Sequence, residues 1–417
     1  MASPVWHPFT QHALQPDATL IAHGEGAWLT TGDGRRILDA ISSWWVVTHG
    51  HRHPAIVAAI KAQADTLDQV IFAGFTHQPA EELAAKLIAI APPGLSHVFF
   101  SDSGSTAVEV ALKMALGYWR NVGKPRSRIV ALEHGYHGDT IGTMSAGARG
   151  VFNEAYEPLL FDVTRLPFPH AGKEQETLDA LEAACRRDAP AALIVEPLVL
   201  GAGGMLIYAP QVLSDMARIC AAHGVLFIAD EVMTGWGRTG RRFACEHAGI
   251  TPDIMCLAKG LTGGSLPLAV TLCKPEIFEA HRSTDRGKTF FHSSSYTANP
   301  IACAAAVANL GIWETEPVGE RIAQLSALQG EALAKLARLP NLSGARQLGT
   351  IAAIDLKVND AGYLATVGLQ LYGAVLERGV LIRPLGNTIY VMPPYCLTAD
   401  DVQYIYSAIE NAISSIA

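Results

Sequence analysis

Apolar positions along the chain follow two rhythms. Between residues 96 and 310, short continuous apolar runs alternate with stretches in which apolar residues recur every three or four positions. The runs 97–100, 128–132, 191–195 and 224–230 predict strands, and 106–119, the stretch built on Leu178, Leu181 and Cys185, and 210–223 predict helices. Strands this uniformly apolar are buried on both faces, which points to an α/β fold with a mostly parallel sheet and helices on either side. Ahead of this region, apolar segments flank Thr31-Gly32-Asp33-Gly34 and predict a hairpin, because Asp-Gly supplies the positive φ of a tight turn. Helical spacing begins at Pro54 and recurs over 79–90. After residue 310 a charged helical stretch (314–339), strands at 351–356 and 380–383, and a helix over 399–416 predict a smaller α+β domain. The expected division is an N-terminal segment, 1–50, packing with the small domain, a large domain, 51–312, and a C-terminal small domain, 313–417.

Composition narrows the function classes. Charged residues make up 17% of the 417 positions, below the roughly 25% usual for soluble domains; this favours a large interior or apolar surface hidden between subunits. Net charge is −8, and the 31 basic residues form no cluster, so a nucleic-acid surface has nothing to rest on. No apolar run approaches the ~20 residues that span a bilayer, and the start of the chain lacks the basic and apolar parts of a secretory signal. Seven scattered cysteines without a CxxC pair read as buried, reduced thiols in a cytoplasmic protein.

Three segments carry chemistry. In Ser101-Asp102-Ser103-Gly104-Ser105-Thr106 a strand turns through small residues into a helix, whose first N–H groups suit a phosphate, although an ordinary helix cap needs the same residues. Asp230 ends an apolar strand, where ligands of α/β sheets sit. Lys259 lies in the apolar stretch Met255-Cys256-Leu257-Ala258, where burial would free its amine as a nucleophile unless the side chain snorkels to solvent. Each signal is weak alone; the order of turn, acid and lysine is far more restrictive. His49, His51, His53, His134 and His137 do not fall at zinc-ligand spacing, so no metal is expected.

With these segments, Trp6-His7-Pro8-Phe9-Thr10, Ser42-Ser43-Trp44-Trp45, Gly135-Tyr136-His137-Gly138-Asp139-Thr140, Gly201-Ala202-Gly203-Gly204-Met205 and Ile382-Arg383-Pro384 complete a pattern. The chain resembles, over essentially its full length, the class III aminotransferases of the fold type I pyridoxal-phosphate enzymes. Within them it is most similar to members that aminate 8-amino-7-oxononanoate in biotin synthesis. The resemblance implies pyridoxal 5'-phosphate as cofactor, carried by Lys259, with Asp230 on its ring nitrogen, Tyr136 against the ring and Gly104 and Ser105 at the phosphate. It implies a homodimer in which Ser294 and Ser295 complete the partner's phosphate site. It further implies Arg383 for the substrate carboxylate, with Phe9, Trp44, Trp45, Tyr136, Asp139, Lys259 and Ser293 around the substrates.

The chain departs from the pattern in places. Members that take the amino group from S-adenosyl-L-methionine carry Tyr where this chain has Phe9, and the family's Gly-Pro-Thr is here Ser293-Ser294-Ser295. A Phe two residues after the arginine is Leu385. Phe9-Thr10-Gln11 and Phe290-Phe291-His292 resemble members that use lysine as donor, whereas the double tryptophan resembles the adenosylmethionine type. The expectation is adenosylmethionine, with lysine as the alternative. A broader ω-amino acid:pyruvate or diamine aminotransferase, an aminomutase or racemase on the same fold, and a binding protein without chemistry are the rival readings.

Overall fold

The computed structural model describes residues 3–15, 17–359 and 361–416; Met1 and Ala2 of the N-terminal stretch lie outside it. A seven-stranded sheet forms the centre. In chain order its strands are β1 (His97–Ser101), β2 (Ile129–Leu132), β3 (Val163–Leu166), β4 (Ala192–Val195), β5 (Leu226–Asp230), β6 (Ile254–Leu257) and β7 (Ala269–Cys273). They lie side by side as β1-β7-β6-β5-β4-β2-β3. β7 runs antiparallel to both neighbours and the remaining pairs are parallel. The inner strands are buried along their whole length, as their unbroken apolar runs demand.

The N-terminal hairpin, Trp28–Thr31 with Arg36–Asp39, joins Ile21–Glu25 in an antiparallel sheet, and Arg36–Asp39 pairs in parallel with Val380–Leu381 from the C-terminal part. One apolar core accordingly contains Ala27, Leu38, Ile322, Val380 and Ile409. A second antiparallel sheet joins Leu342–Leu348, Ile351–Leu356 and Thr388–Val391.

Two expectations need correction. The charged helix over 314–339 is the end of one helix, Pro300–Thr315, and the whole of another, Val318–Leu336. Pro317 separates them: it lacks an N–H and holds Glu316 in extended backbone. The strand expected through Arg383 ends at Leu381, because Arg383 is followed by Pro384, which has no N–H for a ladder.

Candidate active site

The parallel strands all end on one edge of the sheet, where the residues at and just beyond their C-termini line a cavity of about 410 Å³. β1 delivers Asp102 to Ser105, β2 leads to Tyr136 and His137, β4 to Glu196 and β6 to Ala258 and Lys259, and β5 ends on Asp230 itself. Because β7 runs the other way, it brings its preceding residues, Leu266 to Leu268, to the same edge. The cavity thus occupies the place where open α/β sheets bind ligands.

Asp230 is buried, and its carboxylate is held from two sides: His137 Nδ1 donates to Oδ2 at 2.7 Å and the Val232 N–H donates to Oδ1 at 3.2 Å. His137, also buried, has no hydrogen-bond partner at Nε2 among the described residues. The neighbouring Glu231 faces away into a closed set of donors, Thr234 Oγ1, Ala244 N and Cys245 N, which pins the turn after β5.

Lys259 begins a short 3₁₀ turn with φ +46°. Burial lowers the pKa of its amine from the ordinary lysine value; the charges of Asp230, Glu196 and Asp139 oppose that shift. Its Nζ lies 5.4 Å from the centre of the Trp45 ring. Glu196 accepts from the Tyr136 N–H and the Gly201 N–H, both at 2.9 Å, and burial pushes its carboxyl up to about 7. The Tyr136 hydroxyl is raised above its usual value, chiefly by burial and then by Asp139.

At the cavity's other end the helix Gly104–Asn121 opens. Ser103 and Thr106 cap it reciprocally, Thr106 N to Ser103 Oγ at 3.2 Å and Ser103 N to Thr106 Oγ1 at 2.9 Å. The first N–H groups of the helix, those of Gly104 and Ser105, therefore have no acceptor within the helix. A Cβ on Gly104 would come within 2.6 Å of Val232 Cγ1, and one on Gly138 would collide with Ser105 Oγ. Glycine at both positions keeps this end open. A half-buried amine, a buried carboxylate and a helix N-terminus around one cavity fit an aromatic aldehyde bearing a ring nitrogen and a phosphate, which is the shape and charge of pyridoxal phosphate.

The other expected residues are distributed around this centre. Trp45 is buried and lines the cavity, and its indole N–H donates to Tyr390 Oη at 2.9 Å. Trp44 does not line it. Its ring packs edge-on to Phe9 at 5.4 Å and under the Arg383 guanidinium at 4.9 Å, while Arg383 Nη2 donates to the Phe9 carbonyl at 3.0 Å. The tandem tryptophans thus serve two places, not one wall. Asp139 lines an adjoining cavity with Tyr136, Phe152 and Asn153, and its N–H donates to Ser105 Oγ at 3.1 Å. Ser293, Ser294 and Ser295 lie outside the chain's own cavity; Ser294 Oγ donates to Asp102 and the Ser295 carbonyl accepts from Gln69. Sequence reasoning missed His137 as the partner of Asp230, and Glu196. A polar residue directly after an apolar strand was the available signal for Glu196, at Val195-Glu196-Pro197.

These features define a cofactor-dependent transferase site at the edge of a fold type I sheet, and the comparisons agree. The model of the class III aminotransferases matches residues 10–413, and the chain belongs to this family. It is 51% identical over 423 residues to the adenosylmethionine-8-amino-7-oxononanoate aminotransferase of Synechococcus elongatus, covering 99% of each. The crystal structure of the Methanocaldococcus jannaschii enzyme of the same name superposes with a TM-score of 0.94 at 36% identity, covering 99% of this chain and 97% of that one. A PLP-bound amine transaminase from an uncultivated Pseudomonas species gives the same TM-score at 34% identity, covering 100% and 99%.

Proposed function

We propose that the chain transfers an amino group to 8-amino-7-oxononanoate, giving 7,8-diaminononanoate, with S-adenosyl-L-methionine as donor, and that it works as a cytoplasmic homodimer. The observation that carries the chemistry is the pair formed by the half-buried Lys259 amine and the His137-held Asp230 carboxylate in one cavity. The name shared by the Synechococcus elongatus and Methanocaldococcus jannaschii relatives supports the acceptor.

Pyridoxal phosphate, when bound, supplies an electron sink for the pair released as the donor's Cα–H bond breaks. The chain's residues do the rest. Asp230 would hold the protonated ring nitrogen of the cofactor, and His137 keeps that carboxylate oriented. The Gly104 and Ser105 N–H groups would hold the phosphate. Lys259 Nζ, favoured in its neutral form by burial, can accept a proton and return it one carbon away. Trp45 closes the wall beside it, and Arg383 presents a planar fork to a carboxylate.

Lysine as donor is the second reading, favoured by Phe9, whose ring packs edge-on against Trp44 beside Arg383 but brings no hydroxyl. The test is a set of half-reactions on the loaded enzyme, following loss of its visible absorption. Bleaching by diaminononanoate and adenosylmethionine but not lysine supports the full assignment; bleaching by lysine changes the donor. No response to diaminononanoate refutes the acceptor and leaves an aminotransferase of the broader ω-amine kind.

A further inference from the structure

The segment that carries the two tryptophans is held in a conformation side chains rarely adopt. Ser42, Ser43 and Trp45 have φ of +53°, +60° and +67°, a region that non-glycine residues enter only when their surroundings impose it. What imposes it is Asp39, the last residue of the strand Arg36–Asp39 and completely buried. Its Oδ2 accepts from the Ser43 N–H at 2.6 Å and from His51 Nε2 at 2.9 Å; its Oδ1 accepts from the Ile41 N–H at 3.2 Å. His51 is fixed in turn, its backbone bridging to Gly26. On the other side, Ser42 Oγ donates to the Met392 carbonyl at 2.8 Å.

Asp39 also sits at a junction. It pairs in register with Leu381, two residues before Arg383. From this point one strand leads to the guanidinium and the other into the turn that places Trp44 beneath it and Trp45 beside Lys259. We infer that the Asp39–His51 pair is a positioning device for acceptor recognition: it sets the two tryptophans against Arg383 and Lys259, and so sets the site's preference for a long-chain keto acid. This rests on the acceptor proposed above. Asp39 touches neither substrate nor cofactor cavity, and it acts through Trp44 and Trp45.

An amide cannot replace the carboxylate, because two N–H groups reach different oxygens and an asparagine has only one. Asp39→Asn leaves a buried donor facing another donor, a defect large enough to let the turn relax. The expected result is a rise of about tenfold in the KM and in the calorimetric Kd for 8-amino-7-oxononanoate. Cofactor absorption and the kcat with 8-amino-7-oxononanoate should change little. The decisive measurement is the double-mutant cycle with Trp44→Ala, a half-exposed residue whose truncation spares the core. If Asp39 acts through the tryptophan segment, the double variant binds the keto acid no worse than the weaker single one. Losses that multiply, or a fall in kcat with KM unchanged, would overturn the inference. Should Asp39→Asn not fold, His51→Ala removes one donor and leaves both amides, and enters the same cycle. Failure of the wild type to accept 8-amino-7-oxononanoate at all would instead refute the acceptor, a result visible before any variant is made.

Discussion

Glu196 gives the sharpest quantitative test of the site's electrostatics. Its carboxyl is raised from 4.5 to about 7, first by burial and then by the charge of Asp230, against the opposing influence of His137 and the two N–H groups it accepts. In the unfolded chain it titrates as an ordinary glutamate. Between those values the folded state keeps a proton that the unfolded state has released. Stability from this group is therefore fully present below pH 4.5 and is lost as pH rises through 7. The span of 2.5 units corresponds to about 3 kcal/mol at 1.36 kcal/mol per unit. Glu196→Gln removes the titration. Its single carbonyl can satisfy only one of the Tyr136 and Gly201 N–H groups, a pH-independent cost of ~1–3 kcal/mol. The difference in unfolding free energy between variant and wild type should consequently swing by about 3 kcal/mol in the variant's favour between pH 4.5 and 8. Urea unfolding of the apoenzyme at several pH values measures it, since a cation in the cavity would pull the carboxyl back down. A difference that stays flat with pH would mean that Glu196 ionises in the fold as it does in water, and the account of a desolvated cavity floor would fail.

Further predictions concern the reacting groups. Lys259→Ala should abolish turnover and the visible absorption while leaving the circular dichroism of the fold unchanged; retained turnover would remove the lysine from the chemistry. Arg383→Ala should weaken keto-acid binding by ~1.5–3 kcal/mol, the range for losing a hydrogen bond to a charged group, read as Kd by calorimetry. Gly104→Ala places a methyl 2.6 Å from Val232 Cγ1 and should lower stability by ~1–3 kcal/mol through overpacking, with weaker cofactor retention; Val232→Ala in the same chain should restore much of both, and no recovery would place the clash elsewhere.

In the central sheet β1, β2, β4 and β5 were legible from their apolar runs, and β2, β4 and β5 are buried on both faces, which leaves that mark in a sequence; β6 was read only as the apolar stretch ahead of Lys259. β3, with its polar Thr164 and Arg165, and β7, merged with the apolar residues before it, left no such mark. The C-terminal sheet was half legible. Ile351–Leu356 is apolar but for Asp355, whereas Leu342–Leu348 contains Ser343, Gly344, Arg346 and Gln347 and pairs through a register shift. Arg346 there reaches Asp355 across the sheet and the carbonyls of Gly204 and Met205, a tertiary role that no local period encodes.

The same reasoning separates the parts of the site. Asp230, Glu196 and Lys259 stand at or just beyond strand ends, so sheet geometry alone brings them to one edge, and knowing the strands nearly suffices to gather them. His137 lies five residues past β2, and only the return of its loop toward β5 lets Nδ1 meet Asp230. Trp45 is further removed, for it enters from the N-terminal sheet through a turn of three positive φ values that a buried carboxylate enforces. Position in a regular element is written in local sequence; position through an irregular turn is written in whatever distant group satisfies its N–H donors. The parts of this site proposed to set cofactor chemistry belong to the first kind, and the part proposed to set acceptor choice belongs to the second. Acceptor preference can therefore change by altering a buried support such as Asp39 while Lys259 and Asp230 stay in register.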